Sequence, residues 1–171
     1  KISDEDITVT LSTSGTATDG TDYSAVNGSS LTITAGTTTA TKTFTATDNS
    51  IYEGNETVIV AISTVSGGSA TENGTQTETI TITENESAPV ITLATSHTTV
   101  AENSGTTITL TATSSQVADE DVVVTLASSG TATNGTDYSS LGGSTITIAA
   151  GATTGTITGT PTDDSIYEDD E

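Results

Sequence analysis

The sequence predicts an all-β protein built from tandem antiparallel β-sandwiches, and three observations predict it. Short apolar runs alternate with Thr or acid at period two, Gly-, Asn- and Asp-rich turns separate them about every 8–12 residues, and no segment carries helical spacing. The strands follow in order. Ile7–Leu11, Leu31–Ile33, Thr57–Ile62, Glu78–Ile82, Val90–Leu93, Thr107–Leu110, Val122–Leu126 and Ile146–Ile148 carry the alternation. Thr suits the outward face because it is β-branched yet polar. About seven such strands fit one repeat of this length.

The repeat itself is explicit. Gly15-Thr-Ala-Thr-Asp-Gly-Thr-Asp-Tyr-Ser24 returns as Gly130-Thr-Ala-Thr-Asn-Gly-Thr-Asp-Tyr-Ser139, and Asp48-Asn-Ser-Ile-Tyr-Glu53 returns as Asp163-Asp-Ser-Ile-Tyr-Glu168, both 115 residues on. Residues 1–56 align on 116–171 without a gap, with 34 identities. A unit of this size is one small domain rather than a solenoid turn. The boundary is expected at Glu86-Ser87-Ala88-Pro89, where a polar run meets a proline that stops the preceding strand. Residues 1–87 then form a first copy lacking its N-terminal strands, and residues 88–171 a second copy lacking its C-terminal strands. A longer parent protein is expected, with the missing strands supplied by it or by a neighbouring chain.

Composition bounds the chemistry. Thr makes up about a quarter of the chain, aromatics are 3%, and Cys, Met and Trp are absent, so the core is thin and aliphatic. Without cysteine there is no disulfide framework and no thiol chemistry. The net charge of −21, from 23 acids against Lys1 and Lys42, excludes nucleic acid and anionic membranes as partners. Such a surface attracts cations. No apolar run reaches membrane-spanning length, so any export or anchoring signal is expected outside this segment, and no direct membrane insertion within it.

These residues resemble the Calx-β domain. The resemblance rests on G-T-A-T-x-G-x-D-Y, the strand and turn Leu31-Thr-Ile-Thr-Ala-Gly36, and Asp48–Glu53 leading into Glu56-Thr57-Val58, while Ala101-Glu-Asn-Ser-Gly105 is similar to that family's opening strand. It covers the whole chain as two partial domains. It implies a seven-stranded immunoglobulin-like sandwich that in some members binds several calcium ions at one end, and that bacterial adhesins string into long arrays. The calcium ligands implied in the second copy are Glu102, Asp137, Asp163, Asp164, Glu168 and Glu171, with the backbone carbonyl of Ile166. In the first copy Asp22, Asp48, Glu53 and Glu56 match, Asn49 stands where the family places an acid, Ile51 would offer the carbonyl, and Glu84 and Glu86 loosely match the closing acidic cluster. The first copy lacks its counterpart of Glu102 and the second its counterparts of Glu84 and Glu86, so neither site is whole in this sequence.

Calcium also follows from the donor inventory. It takes about six to eight oxygen ligands, and carboxylates, Asn side chains and carbonyls are what this chain offers. Zinc or copper would want His or Cys, of which there is only His97, expected on the surface of a strand. Six acids crowd Asp163–Glu171. Like charges about 4 Å apart repel by about 1 kcal/mol even in water, and a cation relieves this. Against it stands the plainer reading that acidic turns merely keep an acidic protein soluble. Tyr23, Tyr52, Tyr138 and Tyr167 read as packing residues near strand ends.

Catalysis finds no support. No base accompanies a nucleophile near His97, and a sugar-cleaving carboxylate pair normally sits among aromatic platforms, whereas this chain has one Phe, Phe44, and no Trp. Three non-enzymatic roles are expected instead. One is a calcium-stiffened stalk segment of a large extracellular or cell-surface adhesion protein, its partners the neighbouring repeats. Another is a filament subunit in which copies of the chain exchange strands. The last is a Thr-ladder surface over Thr37–Thr39, Thr41, Thr43, Thr45 and Thr47, facing ice, glycan or mineral. Sequons at Asn27, Asn55, Asn73, Asn85 and Asn134 matter only in a glycosylating pathway.

Overall fold

A computed structural model describes residues 2–139, 141 and 144–165. The chain divides into two units, one formed by Lys1–Asn49 with Gly54–Asn85, the other by Ser50–Glu53 with Glu86–Glu171. All regular pairing is antiparallel β, and no α-helix occurs among the described residues. No helix among them is long and apolar enough to cross a membrane.

In the first unit β1 (Ile7–Gly15), β2 (Ser30–Ile33), β3 (Glu56–Ser66) and β4 (Thr77–Ile82) form one sheet in the order β2-β1-β3-β4. The register shifts between Thr10, opposite Thr64, and Leu11, opposite Ile62. One extra residue on β3 is thereby absorbed as a bulge, which keeps Leu11 on the core side of a period-two strand. Val58 and Val60 share a face of β3 by the same alternation, and Val58 is fully buried. The lid over this face comes from loops: Ala17, Tyr23 and Val26 join Val58 in the core, with Leu11, Phe44, Val60 and Ile82 packed around them. The Tyr23 and Phe44 rings lie 5.4 Å apart at 58°, a tilted arrangement that favours aromatic pairs.

Gly15 closes β1 under a strict requirement. Its φ is 119°, and a Cβ there would sit 2.2 Å from the Thr57 carbonyl oxygen. Only glycine tolerates both conditions.

The second unit is a two-layer sandwich. β5 (Ile91–Thr95), β6 (Ile108–Ser114) and β9 (Thr154–Gly159) pair in the order β5-β6-β9, and β7 (Val122–Thr125) pairs with β8 (Thr145–Ile148). Ala112 from the first sheet and Ile146 and Ile148 from the second are buried together, ringed by Ile91, Leu110, Val122, Val124, Leu126, Ala152 and Ile157. At Gly155 the layers approach closely: a Cβ would lie 2.4 Å from the Thr147 carbonyl oxygen. Ser50–Glu53 adds to this unit through Tyr52, whose N–H donates to the Val117 carbonyl at 3.0 Å and whose carbonyl accepts from Asp119 N–H at 3.2 Å.

All eight apolar runs became strands, to within a residue or a few at each end. The ninth, β9, was not expected, because Thr-Gly-Thr-Ile-Thr-Gly carries one apolar residue. Its equivalent 115 positions earlier, residues 39–44, forms no strand. β9 is held by its pairing with β6, from Ile108 opposite Gly159 to Thr113 opposite Thr154. The stretch holding Thr37–Thr47 contains no strand, only the isolated bridge of Ala46 with Tyr23. Residues 101–105 correct another expectation: Glu102–Ser104 is a short 3-10 turn rather than an opening strand, closed by the Ser104 N–H to Ala101 carbonyl bond at 3.0 Å and by Gly105 at φ 63°. His97 lies exposed just beyond β5, its Nδ1 2.9 Å from Ser96 Oγ.

Candidate metal centre

Asp22 is the buried acid of the first unit, 6% exposed. The turn Thr18–Tyr23 positions it. Its Oδ2 accepts the Thr18 N–H at 2.5 Å, its own N–H donates to the Thr18 carbonyl at 3.0 Å, and its carbonyl accepts from Thr47 N–H at 2.8 Å. The Thr18 N–H fixes one carboxylate oxygen and the two backbone bonds fix the residue that carries it, which leaves the second oxygen with a set direction. One carboxylate oxygen from each of Asp22, Glu53 and Glu56 lies within 4.8 Å of the others, and this is the one such acidic group among the described residues. Glu56 opens β3, and Glu53 precedes it by three residues in the 48–56 loop.

Side chains tie that loop to the chain beyond β4. Glu84 Oε2 accepts the Gly54 N–H at 2.7 Å, Asn55 Oδ1 accepts the Glu84 N–H at 2.9 Å, and Asn85 Nδ2 donates to Asp48 Oδ1 at 3.0 Å. Two of the expected ligands, Asp48 and Glu84, therefore spend oxygens on holding the loop. Asn49 is exposed, and Ile51 is half-buried in Ser50–Glu53. Glu86 is half-buried. The donor set is all oxygen, with one buried carboxylate and two half-buried ones, which fits a hard cation and not a soft one.

In the second unit the turn repeats bond for bond. Asp137 Oδ2 accepts the Thr133 N–H at 2.6 Å, its N–H donates to the Thr133 carbonyl at 3.0 Å, and its carbonyl accepts from Thr162 N–H at 2.9 Å. That last bond brings Asp137 beside the stretch after β9 that carries Asp163 and Asp164, which are exposed. Glu102 reaches them from its 3-10 turn, its Oε1 accepting the Asp164 N–H at 3.4 Å. Ile166, Glu168 and Glu171, with Tyr167, lie outside the described residues. Tyr23 is buried as expected, while Tyr52 and Tyr138 are half-buried and enter isolated bridges with Ala118 and Pro161.

Asp19 and Asn55 did not emerge from the sequence reading. Asp19 Oδ1 accepts the backbone N–H groups of Val26 at 2.9 Å and Asn27 at 3.3 Å. Its counterpart Asn134 accepts the Leu141 N–H at 2.9 Å. The signal was in the repeat: Asp and Asn at equivalent positions share an acceptor oxygen but not a charge, whereas Asp22 and Asp137 are acids in both copies. The Val26 N–H, foremost, holds the Asp19 carboxyl below its ordinary value. Partial burial opposes this, and the Asn27 N–H and Tyr23 hydroxyl reinforce it. A depressed folded-state pKa contributes stability above the unfolded-state value, and that contribution is lost as pH falls through the folded value. Asp19→Asn is thus expected to make the melting temperature fall less steeply on acidification, in melts run from neutral pH downward. Identical slopes for variant and parent would refute the assignment.

Fold and acid-lined turn together define an antiparallel β-sandwich module repeated in tandem. A family model for the Calx-beta domain matches residues 2–86 and again 84–171, and the chain belongs to that family. No curated protein matches the chain. Calx-beta is a non-catalytic β-sandwich family whose members bind calcium in general and are typically extracellular, and its tandem occurrence here supports an extracellular or adhesion-type repeat role.

Proposed function

We propose that the chain is a calcium-stiffened spacer in a large extracellular or cell-surface adhesion protein. The convergence of Asp22, Glu53 and Glu56 carries the reading. Three carboxylates so close repel one another by roughly 1 kcal/mol per pair in water and several-fold more near a protein surface, so a folded loop that gathers them gains from a divalent cation. Asp22, fixed by the Thr18 N–H, is the anchoring ligand. Glu53 and Glu56 close on the ion from the loop, and carbonyls with water complete the shell that calcium demands. No chemistry is performed; the ion's contribution is to remove a local repulsion and to fix a loop that otherwise opens.

Thermal melting with added calcium or chelator tests this. An ion that binds only the folded form adds about 2.7 kcal/mol at a hundredfold excess over its Kd, so the melting temperature rises with calcium. Asp22→Asn, isosteric and still able to accept the Thr18 N–H, is expected to abolish most of that rise while the chelated protein still folds. A protein whose melting is indifferent to calcium and chelator would leave a merely acidic spacer and end the proposal.

A further inference from the structure

Three Asn-Gly pairs occur in the chain, at Asn27-Gly28, Asn73-Gly74 and Asn134-Gly135. Asn-Gly is the dipeptide most prone to spontaneous deamidation, because glycine has no side chain to hinder attack by its own backbone nitrogen. With the dipeptide the same in all three, any difference in rate reports the fold. In two of them the attacking nitrogen is engaged. Gly28 N–H donates to the Leu11 carbonyl at 2.9 Å, and Gly135 N–H donates to the Tyr138 carbonyl at 2.9 Å. Their asparagines are held as well: Asn27 Oδ1 accepts the Thr13 N–H at 3.0 Å, and Asn134 Oδ1 accepts the Leu141 N–H at 2.9 Å. Rotation of the side chain onto the glycine nitrogen costs both bonds at each site.

Asn73 differs. It lies exposed in the loop between β3 and β4, and among the described residues neither its side-chain amide nor the Gly74 N–H takes part in a hydrogen bond. Gly74 faces open space, with nothing within 4 Å of where a Cβ would stand. The surrounding contacts hold the loop without occupying the reacting atoms: Gln76 N–H donates to Glu72 Oε1 at 2.7 Å, and Gln76 Nε2 donates to the Asn73 carbonyl at 2.7 Å.

We propose that Asn73 is the site of intrinsic chemical modification in this protein, and that the fold shields the other two. The Gly74 nitrogen attacks Asn73 Cγ and gives up its proton, ammonia leaves with the side-chain nitrogen, and a five-membered succinimide forms. Water then opens the ring at one carbonyl or the other, giving aspartate or isoaspartate. The net change is amide plus water to acid plus ammonia, with no oxidant or enzyme. Isoaspartate lengthens the backbone by one carbon between two residues whose contacts set the turn, and displaces Gln76 from Asn73. The loop sits at the far end of the β3–β4 hairpin from Glu56 and Glu84, so the change leaves the acidic group alone.

The test is incubation of the folded protein in warm, mildly alkaline buffer, cleavage with a protease specific for acidic residues, and mass spectrometry of the three peptides, with a parallel incubation in urea. Folded protein is expected to convert Asn73 about tenfold or more faster than Asn27 and Asn134, because an unbonded loop opens at little cost whereas the other sites must break native bonds first. In urea the three rates converge. Gly74→Ala slows conversion at Asn73 alone. Equal rates at all three sites in the folded protein would overturn the proposal, as would a lead for Asn73 that persists unchanged in urea.

Discussion

Tyr23→Ala lowers the stability of the first unit by about 3–5 kcal/mol, the range for deleting a large buried aromatic side chain. Tyr23 is 1% exposed, contacts Phe44 in a tilted pair and seals the face of β3 at Val58. In a core with so few large side chains no neighbour can collapse into the space. The second unit supplies the control, because its equivalent, Tyr138, is half-buried and Gly159 stands where Phe44 would be. Tyr138→Ala is therefore expected to cost clearly less. Urea unfolding followed by far-UV circular dichroism reads both variants. Equal losses would mean that the aromatic pair adds nothing beyond a common turn.

Gly15→Ala is the second large effect, expected at about 2–5 kcal/mol from backbone strain at positive φ together with a clash against the Thr57 carbonyl. Gly36, in the turn after β2, has φ 80° with nothing within 4 Å of a Cβ. Gly36→Ala incurs the strain without the collision, and its smaller loss isolates the close approach of β1 to β3. If both variants lost the same amount in matched unfolding experiments, the approach to Thr57 would carry no energy.

Much of the fold was legible because period-two alternation is a local signal. Ile7, Val9 and Leu11, or Ile146 and Ile148, state their face within a few residues. β9 was hidden because its evidence is non-local: Thr154–Gly159 is a strand by virtue of β6, while the same stretch of the first copy is not. The acidic group was half legible. The resemblance named Asp22, Glu53 and Glu56 among many acids, but nothing in the spacing said that these three converge while Asp48 and Glu84 turn to hydrogen bonds within the loop. In the sequence Asn55 stood out only as a sequon. Its carbonyl oxygen proves to hold the Glu84 N–H, a pairing 29 residues apart in sequence that no local pattern encodes.

The bonds from Gly54, Asn55 and Asp48 to Glu84 and Asn85 lie outside the β-ladder, immediately past the last paired residue of β4. Tension arriving along the polypeptide at Asn85 would therefore load this fastening before the rungs of the hairpin. The acid-bearing loop would then serve as a fuse, yielding ahead of the sheet.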